Sequence, residues 1–207
     1  IMFTSAAAVP AKADWYGIRF EGNAVYSTAG LSYLVVEWGV SGISTVSPYS
    51  GAYPDITDSV IRHMSTYGVD LFPGSTGIAA PPPERTRILF DRNTIQDVGA
   101  AVSLTFSGTW PGISWDLSGN SISNGGNGSL RISGKKITNV RVQNNDIRPG
   151  GGDGIVLEGV TDGIVSGNNV SGCPGNGLVL RNCDRIRAFE NILNRNLNGI
   201  WLEAVSS

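Results

Sequence analysis

The apolar residues of this chain recur in a fixed frame around a column of asparagines. Asn93, Asn120, Asn145, Asn168 and Asn191 succeed one another at intervals of 27, 25, 23 and 23 residues. Three and five residues before them stand Phe90 and Ile88, Leu117 and Trp115, Val142 and Val140, Val165 and Gly163, Ala188 and Ile186. Two residues after them stand Ile95, Ile122, Ile147, Val170 and Leu193. Most positions between are polar or small, the period-two pattern of strands with one buried face. A second unit, Gly-apolar-x-apolar, recurs at Gly17, Gly42, Gly68, Gly128 (with one extra residue), Gly154, Gly177 and Gly199. Each repeat therefore predicts a strand, an Asn corner, a short strand, a Gly-rich corner and a further strand.

Short strands recurring at this interval predict an all-β fold, a parallel β-solenoid of about eight coils with three short strands per coil. The repeat runs through residues 1–207 as a single domain. Each strand would pair with its equivalent one coil away, so that like residues stack in columns. Asparagine tolerates the left-handed conformation of a tight corner, and stacked Asn side chains can bond along the column as an amide ladder. The stretch NNDIRPGGGDGIVLEG, from Asn144 to Gly159, has the look of a phosphate loop. Its glycines run into a strand-like segment, whereas a phosphate loop needs a helix N-terminus there. Asp153 also aligns with Asn127, Asn176 and Asn198 of sister repeats, so the stretch predicts a corner.

The units GNNVSG…GNGLVLRN and NNDI…GDGIVLEG resemble the parallel β-helix repeat of right-handed β-helix proteins, the pectate-lyase-like group. The opening TSAAAVPAKADWYGIRFEGNA…LSYLVVEWGVSGI resembles the early coils of surface or secreted members more loosely. The resemblance covers nearly the whole chain. It implies a right-handed parallel β-helix and a secreted or cell-surface location. It does not choose an activity, because the group includes polysaccharide lyases, glycoside hydrolases, epimerases, adhesins and non-enzymatic surface proteins.

Composition narrows the partners. Charged residues are 15% of the chain and the net charge is -2, which argues against nucleic acid or an anionic membrane surface. No apolar run reaches the roughly 18 residues of a membrane span. The chain opens on Ile1 and soon enters a strand-like segment, as expected of a piece of something longer. Cys173 and Cys183 bracket one extended strand, too far apart for a disulfide, so two free thiols are expected. The uncapped coils at either end predict end-to-end self-association or a missing flanking domain.

In the strand after each repeat glycine, the front strand, alternate residues should face outward. These are Arg19 and Glu21, Asp70 and Phe72, Ser103 and Thr105, Arg131 and Ser133, Val156 and Glu158, Val179 and Arg181, Trp201 and Glu203. The resemblance places a glycan along such a face. Long loops at 44–57, 73–87 and 107–112 would wall it with Tyr49, Tyr53 and Trp110. Those rings either stack on the apolar faces of sugars or simply staple the loops down. The candidate ligand-binding set is Tyr49, Tyr53, Trp110, Asp70, Arg131, Glu158, Arg181 and Trp201. Glu158, Arg181 and Glu203 occupy adjacent coils, a pattern that favours a surface charge ladder.

Signs of catalysis are fewer. There are three lysines, Lys12, Lys135 and Lys136, and no acidic cluster of the kind a Ca²⁺-dependent lyase needs. The Gly-His-Gly and paired Asp of the fold's hydrolases do not occur. His63, Asp70 and Arg131 are the candidate catalytic residues, and the reading requires His63 and Asp70 within hydrogen-bond reach or one water of each other. No metal site or cofactor is expected, with Ca²⁺ entering only for a lyase. The expected function is an extracellular β-helix module, non-catalytic, that binds glycan or displays a surface for adhesion. The alternative is a polysaccharide lyase or glycoside hydrolase working in the front groove.

Overall fold

The computed structural model describes residues 1–21, 30–46, 54–72, 87–106, 114–148 and 150–206. Tyr49, Tyr53 and Trp110 fall outside these residues, as does most of the three long loops. Among the described residues every strand pairing is parallel, in two sheets of eight strands and one of seven. Neighbours within each sheet are strands from successive coils, three strands per coil.

The sequence columns become packing columns. Val69, Val102, Leu130, Ile155 and Leu178 are in register through five successive front strands, and all are buried. Ile61, Ile95, Ile122, Ile147 and Val170 form the matching column of a second sheet. Phe90, Leu117, Val142 and Val165 form that of the third. Each such side chain contributes about 1.5–3 kcal/mol by leaving water, and β-branched residues suit the pleated stack.

The asparagine column forms the amide ladder. Asn93 Nδ2 donates to Asn120 Oδ1 at 3.1 Å, Asn120 to Asn145 at 2.9 Å, Asn145 to Asn168 at 2.9 Å and Asn168 to Asn191 at 2.9 Å. Each Oδ1 also accepts the backbone N–H of the previous rung, at 2.9–3.1 Å. Serine continues the column upstream, where Ser59 N–H donates to Asn93 Oδ1 and Leu34 N–H to Ser59 Oγ. The left-handed corner residue is not the ladder Asn, as expected from sequence, but the residue before it. Tyr33, Asp58, Arg92, Gly119, Asn144, Gly167 and Glu190 all have φ between 51° and 66°. That leaves the Asn backbone free to turn inward, so its amide is buried instead of facing solvent.

The Gly-rich corner is dictated by close approach. A Cβ on Gly154 would lie 2.3 Å from Val170 Cγ1 and 2.6 Å from the Gly177 carbonyl. The same corner carries a second, shorter ladder, in which Asn176 Nδ2 donates to Asp153 Oδ1 at 2.9 Å and Asn198 Nδ2 to Asn176 Oδ1 at 2.7 Å. The thiols of Cys173 and Cys183 are free and buried. At the last described coil the packing columns run into solvent. Ile200 and Leu202 are 50% and 61% exposed, although their rung mates Leu178 and Leu180 are buried.

Candidate functional site

The front sheet presents two outward columns. Asp70, Ser103, Arg131, Val156, Val179 and Trp201 are in register along the first. Thr105, Ser133, Glu158, Arg181 and Glu203 make up the second. Arg131 Nη2 meets Glu158 Oε2 at 2.6 Å, Arg181 Nη1 meets the same carboxylate oxygen at 3.8 Å, and Arg181 Nε meets Glu203 Oε2 at 2.8 Å. The four side chains make a continuous ion-pair ladder on a partly exposed face, where each pair contributes little to stability. The hydrogen bond from Arg181 and its charge hold the Glu203 carboxyl below the usual carboxylate range.

Two residues of the first column differ from expectation. Val156 and Val179 point away from the core yet are only 6% and 1% exposed. They form an apolar floor that leads to Trp201, which is 48% exposed. At the other end Asp70 is half-buried, and burial raises its pKa while a hydrogen bond with Ser103 partly offsets the rise. Between these ends the face hollows into a pocket of about 460 Å³. Ser103, Arg131 and Val156 line it from the sheet, and Thr66, Asn127 and Asp153 from the corner. Tyr67, partly exposed, stands at its rim. Ser129 also lines it, in a position where sister coils carry Gly68, Ala101, Gly154 and Gly177. Its Oγ is buried and has no hydrogen-bond partner among the described residues. Buried hydroxyls are ordinarily satisfied by protein or water.

His63 lies at a different corner. Its Nδ1 is 2.7 Å from Asp97 Oδ2, and its ring stacks on Trp38 with centroids 4.1 Å apart and 15° between the planes. Lys12 Nζ meets the other Asp97 oxygen at 2.6 Å. Asp70 bonds Ser103 instead, and no hydrogen bond joins it to His63 among the described residues. Arg131 is two rungs from Asp70 and engaged with Glu158, so the three candidate catalytic residues each have a different side-chain partner.

A third constellation, not anticipated from sequence, lies on the seven-stranded sheet. Asp116 is buried between Arg87 and Arg141, beside Ser118 and Gln143. The strand alternation around Trp115 and Leu117 was the available signal, since it turns Asp116 outward. Among the described residues no group of three or more His, Cys, Asp or Glu side chains is placed to hold a metal ion. No helix there is long and apolar enough to cross a membrane.

A stack of three parallel sheets, one of them carrying a lined hollow and a charge ladder, defines a parallel β-solenoid with a groove along its front. Residues 83–207 match the model of the right handed beta helix region. The chain belongs to that family. Neither a curated protein nor a solved structure matches it significantly.

Proposed function

We propose that this chain is a non-catalytic glycan-binding β-helix module of the secreted or cell-surface kind, with its binding site on the front sheet. The observation that carries the reading is the pocket lined by Ser103, Ser129, Arg131, Asn127 and Asp153. An apolar floor of Val156 and Val179 joins it to the exposed Trp201 ring. Hydroxyl, amide and carboxylate groups beside an aromatic surface match the alternation of hydroxyls and apolar faces on a sugar ring. The pairing of His63 with Asp97 and of Asp70 with Ser103, instead of with each other, favours binding over hydrolysis or elimination. A glycan array together with an ultraviolet assay for unsaturated products tests both parts. Binding without product supports the proposal. Turnover of any polysaccharide overturns its non-catalytic half, and an array without a single hit overturns the rest.

A further inference from the structure

We infer that the front face selects against polyuronates and takes neutral glycans, an inference that rests on the glycan reading above and sharpens it. A uronate chain presents one carboxylate per ring, so it needs cations that are free to meet it. Among the described residues of the two outward columns, each arginine is already engaged. Arg131 is held by Glu158 at 2.6 Å, Arg181 by Glu203 at 2.8 Å and by Glu158 at 3.8 Å, and Arg19 by Glu21 at 3.5 Å. A sugar carboxylate binding at either end of the Arg131–Glu203 ladder would meet a guanidinium whose charge a protein carboxylate already offsets.

The groups around the groove add to this. Asp70, Asp153, Glu158 and Glu203 lie along the face that carries Arg131 and Arg181, four formal negative charges against two positive, while Arg19 and Glu21 offset each other. Asp153 points its Oδ1 at Asn176 amide donors, at 2.7 and 2.9 Å, so it remains an acceptor at the pocket wall. Like charges brought together across a binding face lower affinity and slow encounter. Lys135 is exposed at the irregularity after Ser133 and lies outside the register of the two columns. What the pocket offers instead is neutral: the Ser103 hydroxyl and the exposed Asn127 amide. Those groups suit sugar hydroxyls, and Trp201 suits the apolar face of an uncharged ring.

Calorimetric titration of the 207-residue chain with neutral hexasaccharides (cello-, manno- and xylo-) and with hexagalacturonate tests this at low and at high salt. The best neutral ligand should bind at least about tenfold more tightly than hexagalacturonate at low salt, with the gap narrowing as salt screens the repulsion. Glu158→Gln frees Arg131, leaves Arg181 with Glu203 and removes one negative charge from the face, and should shift the ratio of affinities toward hexagalacturonate by about threefold or more. Circular dichroism confirms that the variant keeps its strands. Hexagalacturonate binding as tightly as, or more tightly than, every neutral ligand at low salt overturns the selectivity while leaving the glycan reading standing. An absence of binding by all four ligands overturns the selectivity, whereas the glycan reading itself falls only if the wider array is also silent.

Discussion

The His63 imidazole meets the carboxylate of Asp97, its counterpart one coil along the same corner, with Nδ1 and Oδ2 2.7 Å apart. Trp38 occupies that corner one coil earlier and stacks on the imidazole. All three residues have positive φ, at 66° for Trp38, 59° for His63 and 53° for Asp97. The histidine that is a catalytic candidate from sequence is thus part of a side-chain column at a turn. Lys12 reaches Asp97 from the N-terminal segment, which ties residues 1–17 to a coil far along the chain.

The clasp couples stability to pH. The Lys12 and His63 side chains hold the Asp97 carboxyl below its ordinary value despite some burial. A depressed carboxylate contributes stability that is present above the ordinary carboxylate range and is lost as pH falls through the folded value. Asp97→Asn should lower stability by about 0.5–1 kcal/mol near neutral pH, as befits a partly exposed pair. The deficit should vanish in acid. Urea melts at neutral and acidic pH check it, and equal losses at both would contradict the assignment.

The amide ladder predicts a larger effect. Asn145 makes four hydrogen bonds through its side chain, to Leu117 O, Asn168 Oδ1, Asn120 N and Asn120 Nδ2. Asn145→Ala strands those buried partners and should cost on the order of 3 kcal/mol. Asn191, part-buried at the last described rung, should cost clearly less on the same substitution, because water reaches its bonds more readily than those of Asn145. Denaturant unfolding of the two variants decides whether depth in the stack sets the cost.

Two glycines separate close approach from backbone conformation. Gly154 has no positive φ, but a Cβ there meets Val170 and the next coil's carbonyl. Gly172 has φ of 76° with nothing within 4 Å of an added Cβ. Gly172→Ala should cost about 1–2 kcal/mol, the left-handed penalty alone. Gly154→Ala should cost about 1–3 kcal/mol and also widen the coil spacing locally. Altered amide shifts around Val170 and Gly177 for Gly154→Ala, with none there for Gly172→Ala, are the expected signature.

Asp70 behaves in the opposite sense to Asp97. Burial raises its pKa, against a smaller effect of Ser103. The charged form therefore weakens the fold at neutral pH, and stability is recovered as pH falls through the raised value. Asp70→Asn removes that cost and should raise Tm at neutral pH, with the advantage shrinking in acid. A Tm advantage that grows on acidification would refute it.

The columns of the solenoid were legible because each rung repeats the same physical demand. Ile95, Ile122, Ile147 and Val170 must all fill one interior, Asn93 to Asn191 must all satisfy the same backbone groups, and Gly154 and Gly177 must both admit a neighbouring coil. Non-repeating features were harder to see. The pairing of His63 with Asp97 spans 34 residues, including the long loop at 73–87, so spacing alone conceals it. Extending the ladder upstream through Ser59 and Leu34 would have revealed it, since Trp38, His63, Asp97 and Asn124 each lie four residues after a ladder position. The shielding of Val156 and Val179 depends on neighbouring side chains on the outer face, which strand alternation cannot specify. The burial of Asp116 is hidden likewise, because it depends on how Arg87 and Arg141 fold over it.

The front face as the ligand site is tested most directly by amide chemical-shift mapping during titration with the best-binding neutral hexasaccharide. Shifts concentrated at Ser103, Ser129, Arg131, Val156 and Trp201, saturating together, are predicted. Shifts confined to the other two sheets, or none at a ligand concentration that saturates calorimetric binding, would contradict the placement of the site.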